Sequence, residues 1–132
     1  EPLLLSTVSG KIRIFPVSVM NFVGRAIQFS GGGYLRFLPI YLIKQGFKQN
    51  HSRGRSVMSF IHPREINPNH PRLDLPFFKY LKSYFNLSQT QKKITELLRS
   101  YSFTTVSDVV RNFSTLDEYK LDDDKIIVSK NL

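Results

Sequence analysis

Ser56-Val57-Met58-Ser59-Phe60-Ile61-His62-Pro63-Arg64-Glu65 decides how the chain is read: an apolar run that stops abruptly at a histidine, a proline and two charges. Its apolar continuity predicts a strand over residues 57–61, buried on both faces as in a parallel sheet and delivering the His62 imidazole to a sheet edge. The polar, basic stretch Asn50-His51-Ser52-Arg53-Gly54-Arg55 before it reads as the loop that feeds the strand. Upstream, Ser30-Gly31-Gly32-Gly33-Tyr34-Leu35-Arg36-Phe37-Leu38-Pro39 frees the backbone from side-chain constraint just ahead of an aromatic, basic and apolar segment. Together the two stretches suggest one wall of an active site.

The rest of the chain supplies the alternating elements of an α/β layer architecture. Residues 11–19 alternate charged with apolar side chains up to Pro16, which predicts a strand half-buried on one face. Residues 21–29, with Gly24, read as a loop. Leu38, Tyr41, Leu42 and Phe47 recur at helical spacing and predict one helix over residues 34–48, with Pro39 in its first turn. Pro63, Pro68, Pro71 and Pro76 make the following stretch an extended surface loop. A short helix is expected over residues 76–84. A clearer one is expected over 88–100, capped by Ser88, with Ile94, Leu97, Leu98 and Tyr101 as its apolar stripe. Residues 103–106 read as a short strand, and Ser107-Asp108 as the cap of a final helical turn. Ile126-Ile127-Val128 reads as a late strand that adds to an edge or to a neighbouring chain, including a second copy in a homo-oligomer.

The 132 residues suit one domain with a real core. The expected division is a body over 1–112 and a tail over 113–132. Lys and Arg number 19 against 10 Asp and Glu, a net charge of +9. The body holds 16 basic and 5 acidic residues (+11), the tail 3 basic and 5 acidic (−2). Such a body attracts nucleic acid, anionic surfaces or acidic glycans, yet no helix-turn-helix, finger or RNA-binding signature accompanies the charge. The absence of cysteine excludes disulfides, thiolate nucleophiles and sulfur-ligated zinc. No apolar run approaches the roughly 18 residues of a membrane span, so a soluble chain without a membrane segment is expected. The glycine run lacks the following lysine and Ser/Thr of a phosphate loop. Arg53, Arg55, Arg64 and Arg72 read either as a patch for anions or as a solvated face.

The ordered set Phe15-Pro16-Val17-Ser18, SGGGYLRFLP at residues 30–39, FIHPREINPNHPR at 60–72, Tyr84-Phe85-Asn86-Leu87 and Phe103-Thr104-Thr105-Val106-Ser107-Asp108-Val109 resembles the C-terminal region of bacterial polysaccharide deacetylases of the carbohydrate esterase family four type. The likeness runs from about residue 11 to 110. It implies a partial, distorted (β/α) barrel, the C-terminal half of that family's domain, and an enzyme that removes acetyl groups from an N-acetylated polysaccharide or oligosaccharide. In that chemistry a divalent cation, usually zinc, polarises the amide carbonyl, an acidic residue takes a proton from water, and a histidine protonates the departing amine. The resemblance makes His62 that general acid, and Phe60 part of the acetyl pocket. Gly31, Gly32, Gly33, Tyr34 and Arg36 become candidate contacts to substrate.

The family's paired-aspartate base and its metal-binding histidines do not occur here. His51, His62 and His70 lack their spacing, and Asp122-Asp123-Asp124 lies at the wrong end of the chain. No metal ligand is therefore assigned, and the cation is expected only with ligands outside this chain, in a missing N-terminal half or a partner subunit. Arg64 stands where relatives often carry tryptophan, and Ile14 where many carry glutamate. His51 and His70 receive no role. Two rival readings stay open: a noncatalytic accessory subunit, and a basic module binding glycan or nucleic acid.

Overall fold

The computed structural model describes residues 2–7, 9–112, 117–122 and 125–129. It falls into two compact units, residues 17–102 and residues 1–16 with 103–132.

The larger unit begins with a hairpin, β3 (Val19–Phe22) against β4 (Arg25–Gln28), preceded in the chain by the strands β1 (Leu3–Thr7) and β2 (Gly10–Ile14) of the other unit. The expected loop over 21–29 is thus a two-stranded ribbon. Its two connecting residues, Val23 and Gly24, have φ of 50° and 76°, the positive pair that a type I′ turn demands. The Asn-Gly signature of such turns is missing, which is why sequence did not announce it.

After the hairpin come α1 (Gly32–Phe37), α2 (Ile40–His51), α3 (Pro63–Ile66), α4 (Phe77–Tyr84) and α5 (Leu87–Ser100). One helix was expected over 34–48, but Pro39 divides it. The residue before a proline is pushed out of the helical region, and Leu38 is extended at φ −80°, ψ 139°. Pro39 then serves as the N-cap of α2. Ile43, Gly46, Phe47 and Asn50 form the buried stripe of α2, while Tyr41, placed on that stripe from sequence, faces solvent. On α5 the stripe is Leu87, Thr90 and Leu97 with Ile94; Leu98 is exposed. Its N-cap is Asn86, left-handed at φ 55°, rather than Ser88.

The core gathers Met20, Phe29, Leu35, Ile43, Phe47 and Leu97, with Val57, Ile61 and Tyr101 packed against it. Gly46 admits the Phe29 ring: a Cβ there would sit 2.5 Å from Cδ2. The Phe47 and Tyr101 rings stack at 4.3 Å. Asn50 donates to the carbonyls of Val19 and Gly46, and Gln49 exchanges two hydrogen bonds with the Asn21 backbone, so α2 and the hairpin are pinned together.

Residues 57–61 are not the doubly buried strand expected of them. Val57, Met58, Ser59 and Ile61 are half-buried and Phe60 is exposed. The physical reason is in their partners: Met58 N–H donates to Ser18 Oγ (2.8 Å), and Met58 C=O accepts from Ser30 Oγ (2.7 Å). Two serines occupy the groups a neighbouring strand would use. The parallel pairing survives as one bridge, Gly31 to Phe60.

In the smaller unit β1 lies between β2, antiparallel, and β5 (Asp117–Asp122), parallel; β6 (Lys125–Ser129) pairs antiparallel with β5 and contains the expected late strand. All of β2 is exposed, not half-buried. Residues 103–105 form no strand. Instead Thr105 Oγ1 accepts the N–H of Asp108 and donates to its carboxylate, capping α6 (Val106–Asn112) two residues before the Ser107 expected as cap. Among the described residues, no helix is long and apolar enough to cross a membrane. Of the Asp122-Asp123-Asp124 run, Asp123 and Asp124 lie outside the described residues, as do Glu1, residues 113–116 and the last three positions.

Candidate functional site

Two stretches far apart in sequence meet where the glycine run enters α1. Gly32 N–H donates to the carbonyl of Phe60 at 3.0 Å. The Phe60 ring lies across Gly31, where an added Cβ would be 2.6 Å from Cζ. An added Cβ on Gly32 would overlap the Glu65 carboxylate. None of the three glycines has a positive φ; they are placed by close approach, and Gly31 is the extended N-cap of α1. The glycine run, which frees the backbone from side-chain constraint, is a packed seam at Gly31 and Gly32.

His62 follows directly. It is the extended N-cap of α3, with φ −88° and ψ 146°, and Pro63 occupies the first helical position, where a missing N–H costs nothing. His62 is exposed, as is Phe60 at 41 %. Tyr34 and Phe37 are exposed on α1, and Phe37 stacks on Phe85 at 5.2 Å.

Arg36 is the exception among the candidate contacts. It is 8 % exposed, and its two terminal guanidinium nitrogens are engaged inside the protein. Nη1 donates to the carbonyls of Lys82 and Ser83 at the end of α4, at 3.1 and 2.7 Å, and Nη2 lies 3.6 Å from Glu65 Oε1. Burial pulls its pKa below the ordinary value, while Glu65 opposes that shift and Arg64 adds to it. Rather than facing sugar, Arg36 ties α1 to α4 and to the carboxylate behind His62. Lys93 completes the support of α1: its ammonium donates to the carbonyls of Leu35 and Leu38, both at 2.8 Å, which a helix end otherwise leaves unpaired. Burial lowers the Lys93 pKa as well.

Glu65 was given no role from sequence. It is 5 % exposed, and its Oε2 accepts the N–H of His62 at 3.1 Å. The signal was present in His62-Pro63-Arg64-Glu65: a proline at the first helical position and a glutamate three residues after the cap, reaching back to the cap's N–H.

The remaining candidates are dispersed. His51 sits edge-on to the Phe47 and Tyr101 rings, and His70 lies over Tyr84 with Nδ1 2.9 Å from the Pro71 carbonyl. Arg64 donates to Ser83 C=O, and Arg72 donates to Tyr80 Oη at 2.6 Å while lying over the Tyr84 ring. Among the described residues no three His, Asp or Glu side chains come together in a way that could hold a metal ion.

Residues 1–111 match the family described as a domain of unknown function, DUF3473, and the chain belongs to that family. No curated protein and no solved structure matches it.

Proposed function

We propose that this chain is the C-terminal portion of a metal-dependent polysaccharide deacetylase, which hydrolyses N-acetyl groups from an amino-sugar polymer, and that His62 is its general acid. The single observation that carries the reading is the exposed His62 at the end of a segment sealed onto the glycine seam, beside a half-exposed Phe60. The motif resemblance supports the same assignment.

In the reaction, water adds to the acetyl carbonyl carbon. As the tetrahedral intermediate collapses, the C–N bond breaks, acetate forms, and the His62 imidazolium gives its proton to the departing nitrogen. Phe60 lines the space beside the acetyl methyl group. No group of described residues could hold a metal ion; the resemblance places the cation and the base on residues outside this chain, which would complete a (β/α) barrel with it. The +11 body favours association with anionic polymer, the alternative role of a noncatalytic accessory or basic binding module.

The test is acetate release from an N-acetylated amino-sugar oligomer by the full-length natural polypeptide carrying this chain. His62→Ala is expected to lower kcat by roughly 10²- to 10⁴-fold, the range of general acid catalysis. Unchanged kcat, or a polypeptide lacking an upstream aspartate pair and histidine motif, overturns the reading. Salt-sensitive polymer binding without turnover then identifies the accessory role.

A further inference from the structure

We infer that Glu65 is a positioning residue for His62, acting through the backbone rather than on the ring; the inference rests on His62 being the proton donor. The carboxylate is buried at 5 % exposure, where a charge is costly unless partners surround it. Its partners are distributed to one purpose. Oε2 takes the His62 N–H at 3.1 Å, and Oε1 faces Arg36 Nη2 at 3.6 Å. The carboxylate lies so close against Gly32 that no larger residue fits there.

Arg36 is itself anchored on the Lys82 and Ser83 carbonyls, so Glu65 cannot drift without breaking contacts to α1 and α4. On the other side of His62, the Phe60 carbonyl is held by Gly32 N–H. The backbone is therefore held two residues before the histidine and at its own amide, which narrows the positions open to the side chain. An exposed imidazole on a proline-rich loop would otherwise wander. A proton donor displaced by an ångström loses on the order of a hundredfold in rate.

The experiment is a double-substitution cycle in the full-length polypeptide, with kcat and KM for acetate release from an N-acetylated amino-sugar oligomer. Glu65→Gln keeps the volume and removes the charge that holds Arg36. It is expected to lower kcat roughly ten- to a hundredfold with KM within about twofold, and to cost nothing further in a His62→Ala background. The His62 amide should also exchange with solvent faster in Glu65→Gln. An equal kcat loss in both backgrounds, or no loss with an unchanged exchange rate, overturns the inference. If His62→Ala leaves kcat intact, the proton-donor assignment fails and takes this inference with it. A loss in His62→Ala with an additive Glu65→Gln penalty sinks only the positioning role. If Glu65→Gln does not fold, Arg36→Lys provides the second arm, with the same kcat pattern expected and additivity again counting against the inference.

Discussion

Glu65 Oε1 and Arg36 Nη2 face each other at 3.6 Å across 29 positions of sequence, with side chains 7 % and 9 % exposed. A pair this far from water gives little net stability while both members are present, and costs much when one is removed. Arg36→Met is expected to destabilise the protein by about 3–5 kcal/mol, because it leaves an uncompensated carboxylate in the interior. Adding Glu65→Leu to that variant should recover part of the loss. Denaturant titration of the two singles and the double measures it, and strict additivity would show that the groups do not interact.

Neighbouring glycines on the seam should respond in opposite directions. Gly32→Ala places a methyl group in the Glu65 carboxylate and is expected to lower stability by about 3 kcal/mol or more, the overpacking range with loss of a buried contact added. At Gly33 a Cβ meets nothing nearer than Arg36 Nη2 at 3.9 Å, so Gly33→Ala within α1 should stabilise by about 0.5–1 kcal/mol. Thermal melts of both variants test the contrast.

Val23 holds φ at 50° and is 85 % exposed, so its β-branched side chain bears backbone strain with no packing in return. Val23→Asn supplies the residue a type I′ turn prefers, and should raise stability by about 1 kcal/mol. A lowered melting temperature would contradict the turn assignment.

Lys93→Met removes the donor that holds the Leu35 and Leu38 carbonyls, and is expected to cost about 1–3 kcal/mol. Burial lowers the pKa of this amine below 10.5, so across the interval just below 10.5 the unfolded chain binds the proton more strongly. The stability contributed by Lys93 therefore rises with pH there, and the gap between wild type and Lys93→Met should widen. Paired unfolding curves from pH 8 to 10.5 would show a narrowing gap if the sign were wrong.

Much of the helical organisation was legible because it rests on local chemistry. The proline-led segment after Pro76 gave α4, the apolar spacing of Ile94 and Leu97 gave α5, and Ile126-Ile127-Val128 falls within β6. The stretches at 30–39 and 56–65 read as one wall, and the structure brings Gly31 and Gly32 against Phe60 and Glu65. What sequence left hidden is long-range. Arg36 reads as a surface cation until Glu65 is seen beside it, and residues 57–61 read as a strand because their apolar pattern cannot reveal that Ser18 and Ser30 take the Met58 backbone groups. The hairpin was missed for the opposite reason: a valine stands where only a left-handed backbone fits.

The borrowed partners of Met58 tie distant parts of the chain together. Ser18 and Ser30 lie 40 and 28 positions away, on either side of the hairpin, so both hydrogen bonds close long loops. The segment that leads into His62 is thus held by side chains borrowed from the two ends of the ribbon, and a change at either serine reaches that segment without touching it in sequence.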